Sequence, residues 1–452
     1  MDTRELEKSI GMRVYGTETP STGGRVRTAP EDFVVKEVLR SGEIADVEST
    51  ARRVVGGEGD FLLCILVKSG YDTFTALKRI ARALHVSAKR ISPCGLKDAN
   101  ALTAQHITIR HVEPSHLAKM KLKGVRVTPI RFLETPISAK SLFGNRFKIK
   151  IRDIELCPDR LNNLIVDFIA ETDRLGGVPN FYGHQRFGTL RPITHKVGKH
   201  VVKREFEQAV LEYLTEPSLR ESFASKNAKR NFLKERDARR SLRLYPRNLT
   251  YERLMLQHLA DHEGDYLGAL KRLPSRIRCL LVNAYQSFLF NEFLSERVLQ
   301  KLPLNQVYEG DYVMEIDPKG LPTDIVKMVE AEDVESANGG IRDKRQALGL
   351  PVIGYGIQFS KGRQGAIEKC ILDREGVTPR SFYIGPMHEV SSPGKYRPTL
   401  MNIREFETQV EQDETNPEKS SLTLEFFLPK ESYATVVLRE LMKPFDLIES
   451  GF

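Results

Sequence analysis

Residues 95–105 read GLKDANALTAQ and lead into the short run HITI at residues 106–109. A glycine permits tight backbone geometry, and a polar turn before a β-branched run predicts a connection into a strand. Asp98 follows Lys97 in this connection, so a carboxylate and a cation are neighbours in sequence. Taken alone, such an aspartate is more often a turn-former. The alternative is an ionised nucleophile that a nearby Lys or Arg keeps deprotonated.

Strands and helices alternate around this connection. Residues 33–38 and 60–67 are rich in β-branched and aromatic side chains, and residues 147–152 alternate between apolar and polar ones. Both patterns are typical of strands. A helix is predicted after Asp72 or Thr73, either of which can cap it. Another helix begins near Leu161 and is stopped by Gly176-Gly177. This part of the chain is therefore predicted to be α/β or α+β.

The sequence changes character after about residue 190. The basic window at 225–247 predicts a surface-exposed helix, and residues 275–298 predict a strong amphipathic helix. Residues 303–400 contain many Gly and Pro and predict irregular or β-rich structure. The tail at 422–442 returns to a strand, a turn and a helix. One interpretation is a core interrupted by an inserted domain of roughly 200 residues.

Composition limits the class of protein. The chain has 452 residues, of which 40% are hydrophobic and 29% charged, as expected of a globular protein that needs no disulfides to bury a core. Lys and Arg number 69 and Asp and Glu 60, so the net charge of +9 favours a polyanionic partner such as nucleic acid.

The sequence also predicts where the protein resides. The longest apolar run, residues 61–67, is far shorter than the ~20 residues of a membrane helix, and the N-terminus has no apolar signal segment. The five cysteines are far apart and form no CxxC pair, which excludes a zinc ribbon or a disulfide scaffold. We therefore expect a cytoplasmic protein with no membrane partner.

Two further segments are candidates for a functional site. Residues 180–188, NFYGHQRFG, suit a loop that stacks a base on a ring and reads its edge with an amide, although an aromatic loop packed on the core fits equally. Residues 429–435, PKESYAT, open a helix that Ser432 can cap. Arg439 on that helix can point into a site or pair with Glu440 in solvent.

Metal and nucleotide sites are not predicted. His258 and His262 have the i, i+4 spacing of a helical metal pair, but no third ligand is near them in sequence. The glycines between residues 349 and 365 match neither a P-loop nor a dinucleotide-binding motif. An RNA methyltransferase would need a Gly-rich cofactor loop after a first strand, and none occurs in the first 190 residues.

Together these segments resemble the TruD family of tRNA pseudouridine synthases. Four family patterns occur in the expected order: PEDFxVxE at 30–37, GxKDxxAxTxQ at 95–105, NxxGxQRFG at 180–188 and LPxGSYATxxLRE at 428–440. Glu431 departs from the last pattern because the family usually has Gly there. If that position has positive φ, a glutamate costs about 1 kcal/mol or more.

The resemblance implies an α+β fold. Its pseudouridine-synthase catalytic core is a mixed, largely antiparallel sheet flanked by helices, and a family-specific α/β domain is inserted into it. We assign residues 1–182 to the first part of the catalytic domain, 183–400 to the inserted TRUD domain and 401–452 to the last part of the catalytic domain.

The resemblance also implies the site. The family's nucleophilic aspartate falls on Asp98. The substrate-binding positions fall on Phe33, Lys97, Asn180, Tyr182, Gln185, Arg186, Tyr433 and Arg439. Arg439 is also the candidate cation for Asp98, since the side chain of the adjacent Lys97 is expected to diverge. In the basic window, the predicted contacts to the RNA backbone are Lys226, Lys229, Arg230 and Arg236, with a merely solvated helix as the alternative.

The implied activity is the isomerisation of a uridine of tRNA, at position 13, to pseudouridine. The reaction involves no redox change and no outside group, so it requires no cofactor or metal. We expect tRNA as the partner, no protein partner, and a monomer. The alternative from another class is a non-catalytic RNA-binding or RNA-remodelling protein that retains the fold.

Overall fold

A computed structural model describes residues 3–49, 56–218 and 221–452. The chain divides into two compact units. The first, here called the sheet unit, comprises Thr19–Gly177 and Met401–Phe452. The second, here called the helical unit, comprises Met1–Glu18 and Val178–Leu400. The predicted family domains, with limits after residues 182 and 400, stay a prediction.

The sheet unit is built around one β-sheet. Its strands lie in the order Arg404–Gln412, Ser420–Pro429, Leu142–Ile154, Phe33–Leu39, Leu102–Arg110, Phe61–Lys68 and Val125–Leu133, and Ile91–Pro93 pairs with Leu102–Arg110. Only Phe33–Leu39 and Leu102–Arg110 pair in parallel, and the other pairs are antiparallel. The predicted mixed, largely antiparallel sheet is therefore confirmed.

The parallel pair decides which segments meet at one edge of this sheet. Val34 lies opposite Leu102. Because parallel strands begin at the same edge, the turn before Leu102 lies beside the segment that precedes Phe33. The first of these segments contains Asp98, and the second contains Arg27.

In the described part of the sheet unit there are four α-helices: Thr73–Ala83, Pro114–Ala118, Pro158–Leu175 and Ala434–Met442. The Asp72 side chain accepts a hydrogen bond from the Thr75 amide at 3.0 Å, which confirms the predicted cap. Gly176, with φ of 82°, ends the third helix as predicted. The prediction of Ser432 as a cap is wrong, because Tyr433 occupies that position and its side chain makes no capping bond.

The first of these helices packs on the apolar face of the sheet. Ala76, Leu77 and Ile80 share one buried cluster with strand residues such as Leu62 and Ile107. The apolar residues of this helix recur every three or four positions because they are buried against the strands. The packed helix also anchors the segment between Lys68 and Thr73, which follows the strand end.

The helical unit contains ten helices among the described residues: Thr3–Ser9, Thr194–Val202, Phe206–Thr215, Phe223–Glu235, Ala238–Leu244, Thr250–Asp261, Tyr266–Lys271, Ser275–Leu299, Val334–Arg342 and Gly362–Glu375. Its antiparallel sheet has the strand order Lys395–Pro398, Gln346–Val352, Tyr312–Ile316 and Pro322–Met328. A short strand at Val178–Pro179 also belongs to this unit, and the short strand Leu400–Met401 lies where the chain passes from one unit to the other. No helix within the described ranges is long and apolar enough to cross a membrane.

Three predictions for this unit can be compared with the structure. The long helix over 275–298 is confirmed. The β-rich prediction for 303–400 is correct for the four strands and misses two helices. The prediction of a single basic helix over 225–247 is wrong, because Arg236 adopts φ of 57° and Asp237 caps a second helix after it.

Candidate active site

Asp98 lies in the turn that leads into Leu102–Arg110. Its side chain is 57% exposed, and the Arg27 guanidinium lies 3.9 Å from its Oδ2 atom. The carboxylate is therefore open to solvent and has a largely buried cation beside it. A carboxylate so placed can reach a substrate atom.

Arg27 is a functional candidate that the sequence argument missed. Its side chain is 11% exposed, lies over the Phe33 ring at 4.3 Å and donates from Nη1 to the Gly451 carbonyl at 3.0 Å. Burial lowers the pKa of the Arg27 guanidinium, and the neighbouring Asp98 opposes that shift. The parallel strand register was the missing signal, since it brings Arg27 to the same sheet edge as Asp98.

Lys97 and Glu37 join two of the sequence motifs. The Lys97 Nζ atom lies 2.7 Å from Glu37 Oε1, and the His106 amide donates to Glu37 Oε2 at 2.8 Å. Burial alone would raise the pKa of Glu37, but Lys97 and His106 outweigh it and hold that pKa below its usual value. The predicted substrate-binding lysine is thus committed to an ion pair inside the protein.

Gln105 and Thr73 hold the turn at residues 95–105 in place. Gln105 donates from Nε2 to the Gly95 carbonyl at 3.0 Å and accepts from the Thr73 hydroxyl at 2.9 Å. The Lys97 amide donates to the same hydroxyl at 2.8 Å. A Cβ on Gly95 would lie 3.3 Å from the Lys97 ammonium, which is a tight contact. A glycine at this position therefore leaves room for the ion pair.

Phe33, Tyr433 and Arg439, which are also predicted substrate-binding residues, belong to the sheet unit. Phe33 is only 4% exposed and packs edge-on against Phe147, whereas Tyr433 is half-buried. Arg439 pairs with Glu440 at 2.9 Å, and both side chains are buried rather than in solvent. The assignment of Arg439 as the cation of Asp98 stays a prediction, and Arg27 is a cation that the structure places at that carboxylate.

Residues 180–188 lie in the helical unit. Both polar atoms of the Asn180 amide bind the protein, because Arg397 donates to Oδ1 at 2.6 Å and Nδ2 donates to the Pro398 carbonyl at 3.0 Å. The Tyr182 ring is buried, with the Arg397 guanidinium 4.1 Å from its centroid and Phe290 edge-on at 5.5 Å. These contacts favour the packed-core interpretation for Asn180 and Tyr182.

Gln185 and Arg186 differ from their buried neighbours. Gln185 is exposed, and Arg186 is half-buried with its Nε atom donating to the Ser287 hydroxyl at 3.1 Å. Of the predicted residues in this segment, they are the two that solvent reaches most easily.

One residue of the basic window differs from the others in its burial. Lys226, Arg230 and Arg236 are exposed. Lys229 is 2% exposed, pairs with Glu221 at 2.6 Å and donates to the Glu216 carbonyl at 2.9 Å. Its assignment as an RNA-backbone contact stays a prediction, and these contacts favour a structural role because the side chain faces the protein interior.

The histidine pair serves a local purpose. His258 bonds from Nε2 to Asp265 at 2.8 Å, and its ring stacks on that of His262 with centroids 4.6 Å apart. Within the part of the chain that the structure describes, no group of three or more His, Cys, Asp or Glu side chains could hold a metal ion.

Comparison with known proteins identifies the class and then the family. The profile of the family described as tRNA pseudouridine synthase D (TruD) matches residues 9–441. The relative named "Probable tRNA pseudouridine synthase D" from Methanosarcina mazei is 39% identical over 98% of both chains. The protein of the same name from Pyrococcus furiosus is 32% identical over 97% of this chain and 100% of its own.

A solved structure agrees with these matches. The crystal structure of the Methanosarcina mazei TruD protein superposes with a TM-score of 0.82 at 38% identity, and covers 98% of this chain and 99% of its own. The fold and the matches define a pseudouridine synthase, which is an isomerase. Within that class, the chain belongs to the tRNA pseudouridine synthase D (TruD) family.

Proposed function

We propose that this protein converts a uridine of tRNA, at position 13, to pseudouridine, and that the Asp98 carboxylate acts on the ribose of that nucleotide. The observation that carries the proposal is the exposed Asp98 side chain next to a largely buried guanidinium, in a turn whose sequence matches the family pattern.

The chemistry needs one ionised carboxylate. The N1–C1′ bond breaks, the uracil turns, and a C5–C1′ bond forms, while the C5 proton is lost and N1 gains a proton. Asp98 can attack C1′ directly or remove the 2′ proton to give a glycal intermediate. Either step requires the carboxylate form, since a protonated acid is neither nucleophile nor base.

Arg27 places a positive charge beside this carboxylate in the proposal, since a guanidinium keeps its charge at all physiological pH values. The Gly451 carbonyl and the Phe33 ring hold the guanidinium in place.

Access to the ribose requires the uridine to leave its stack, which costs a few kcal/mol. We propose that Tyr433, the half-buried ring of the predicted set, offsets part of this cost by contact with the base. In the helical unit, the exposed Gln185 and the exposed cations Lys226, Arg230 and Arg236 are the proposed RNA contacts. The free cysteines fit action in a reducing cytoplasm.

The test is pseudouridine mapping on tRNA transcripts incubated with the purified protein. We expect one pseudouridine at position 13 and none in a matched transcript that carries cytidine there. Pseudouridine at another position would correct the target and leave the reaction class intact. Tight tRNA binding without product would favour the non-catalytic alternative.

A further inference from the structure

Lys68 is a buried cation at the end of the strand Phe61–Lys68. It is 1% exposed, and its Nζ atom donates to the Asp98 carbonyl at 2.7 Å and to the Lys97 carbonyl at 3.3 Å. Within the residues that the structure describes, this ammonium forms no ion pair and its hydrogen bonds go to main-chain oxygens.

These two carbonyls flank the α-carbon of Asp98. The carbonyl of Lys97 belongs to the peptide before that atom, and the carbonyl of Asp98 belongs to the peptide after it. One donor that holds both peptide planes limits φ and ψ of Asp98, and φ and ψ set the direction of its Cβ. The contact therefore constrains where the Asp98 carboxylate points.

Neighbouring bonds complete the anchoring of this turn. The Thr73 hydroxyl accepts from the Lys97 amide at 2.8 Å and donates its proton to Gln105 Oε1 at 2.9 Å. The Gly70 amide donates to the Ala99 carbonyl at 3.2 Å. Gly70, which follows the strand, and Thr73, the first residue of the helix, thus hold the backbone on both sides of Asp98.

Stability alone does not account for a lysine at this position. Burying an ammonium is costly, and an apolar side chain of similar volume often serves the fold as well or better. Burial lowers the pKa of Lys68 to about 8, opposed by Asp98 and Asp72 and reinforced by Lys97. A buried cation whose donors reach only the turn that carries the active carboxylate indicates a role in function.

We propose that Lys68 is a positioning residue for the isomerisation, and that its ammonium fixes the backbone on both sides of Asp98 so that the carboxylate faces the substrate. The proposal rests on the proposed role of Asp98. Displacement of a reacting group by about 1 Å can lower a rate by about 100-fold, so the effect belongs to the chemical step and not to tRNA affinity.

The first test is the variant Lys68→Met, which keeps the unbranched stem and removes the charge. We expect the rate constant measured in single-turnover assays to fall about 10- to 100-fold, with the Kd for tRNA within about threefold of wild type. Lys78→Met, which removes an exposed lysine from the adjacent helix, is the matched control and is expected to retain wild-type kcat. A wild-type kcat for Lys68→Met would overturn the proposal.

A pH profile separates positioning from a general loss of structure. Wild-type kcat should decline as the pH rises through about 8, because the ammonium loses its proton there, and this alkaline decline should be absent in Lys68→Met. Persistence of the decline in the variant would contradict the proposal. If Lys68→Met does not fold, Lys68→Gln replaces it, and a wild-type rate for that variant would overturn the proposal.

These outcomes are distinct from a failure of the proposed function. If the wild-type protein forms no pseudouridine on any tRNA, the proposed function is wrong. If the wild type is active and Asp98→Asn is inactive, but Lys68→Met matches the wild type, only the inference about Lys68 is wrong.

Discussion

At the scale of single residues, Glu37 shows how two sequence motifs support one another. Its side chain is 0% exposed, and Lys97 supplies its cation from the second motif. A buried carboxylate that loses its cation keeps the desolvation cost and loses the compensation. The resemblance marked both positions without explaining them, because no sequence pattern states which side chains from different strands will meet.

We predict that Lys97→Met lowers the free energy of unfolding by about 3–5 kcal/mol, measured by urea denaturation at pH 7. Lys148→Met is the matched control, since its ion pair with Glu425 at 2.8 Å is exposed and should contribute under about 1 kcal/mol. The double variant Lys97→Met, Glu37→Leu should recover most of the loss. Equal effects of the two lysine variants would contradict the assigned role of the buried pair.

The pair also has a consequence for pH. The pKa of Glu37 is lowered in the folded protein, so the wild type binds fewer protons there than the unfolded chain does in acid. This contribution to stability is present above the unfolded pKa of about 4.3 and is lost as the pH falls through the folded value. We predict a smaller loss of stability below pH 4.3 for Glu37→Gln than for wild type, by thermal unfolding.

Glu431, which stands where the family usually has Gly, has a positive φ of +67°. A side chain with a Cβ is strained in this left-handed region, whereas glycine adopts it freely. We predict that the free energy of unfolding of Glu431→Gly is about 1 kcal/mol higher than that of Glu431→Ala. The alanine variant removes the same side-chain contacts and keeps the Cβ, so equal stabilities of the two variants would disprove backbone strain.

At the scale of elements, propensity predicted two strands of the sheet unit better than two helices between residues 303 and 400. The strands Phe33–Leu39 and Phe61–Lys68 match their predicted ranges because β-branched and aromatic residues mark them. The helices Val334–Arg342 and Gly362–Glu375 were missed because each contains two glycines, which oppose helix in isolation. Tertiary packing overrides that preference in both.

The burial of Lys229 sharpens the prediction for RNA binding. We expect tRNA affinity to fall steeply with NaCl concentration, and the slope of log K against log salt to decrease by roughly 1 for each phosphate contact removed. Replacing Lys226, Arg230 and Arg236 by Gln should therefore flatten the slope. Lys229→Met removes a buried cation from the same helix and should leave it unchanged.

Two results would contradict that account. A triple variant with the wild-type slope would mean that the exposed face of Phe223–Glu235 and the residue after it do not contact RNA. A reduced slope for Lys229→Met with intact folding would mean that the buried lysine becomes available in the complex.

At the scale of the whole molecule, the order of four motifs between residues 30 and 440 was sufficient to predict the family and the class of fold, and both are confirmed. The position of Arg27 could not be predicted from the motifs, because its place beside Asp98 depends on one parallel strand pair in an otherwise antiparallel sheet. The burial of Tyr182 was equally beyond it, since composition fits a stacking loop and a packed one alike.

The measurement that tests the central claim most directly is pseudouridine formation by the wild-type protein beside Asp98→Asn, on the same tRNA, with tRNA binding measured for both. The asparagine has the same size and lacks the charge, so we predict product from the wild type only and similar binding by the two proteins. Product from both proteins would contradict the assignment of Asp98 as the residue that acts on the ribose.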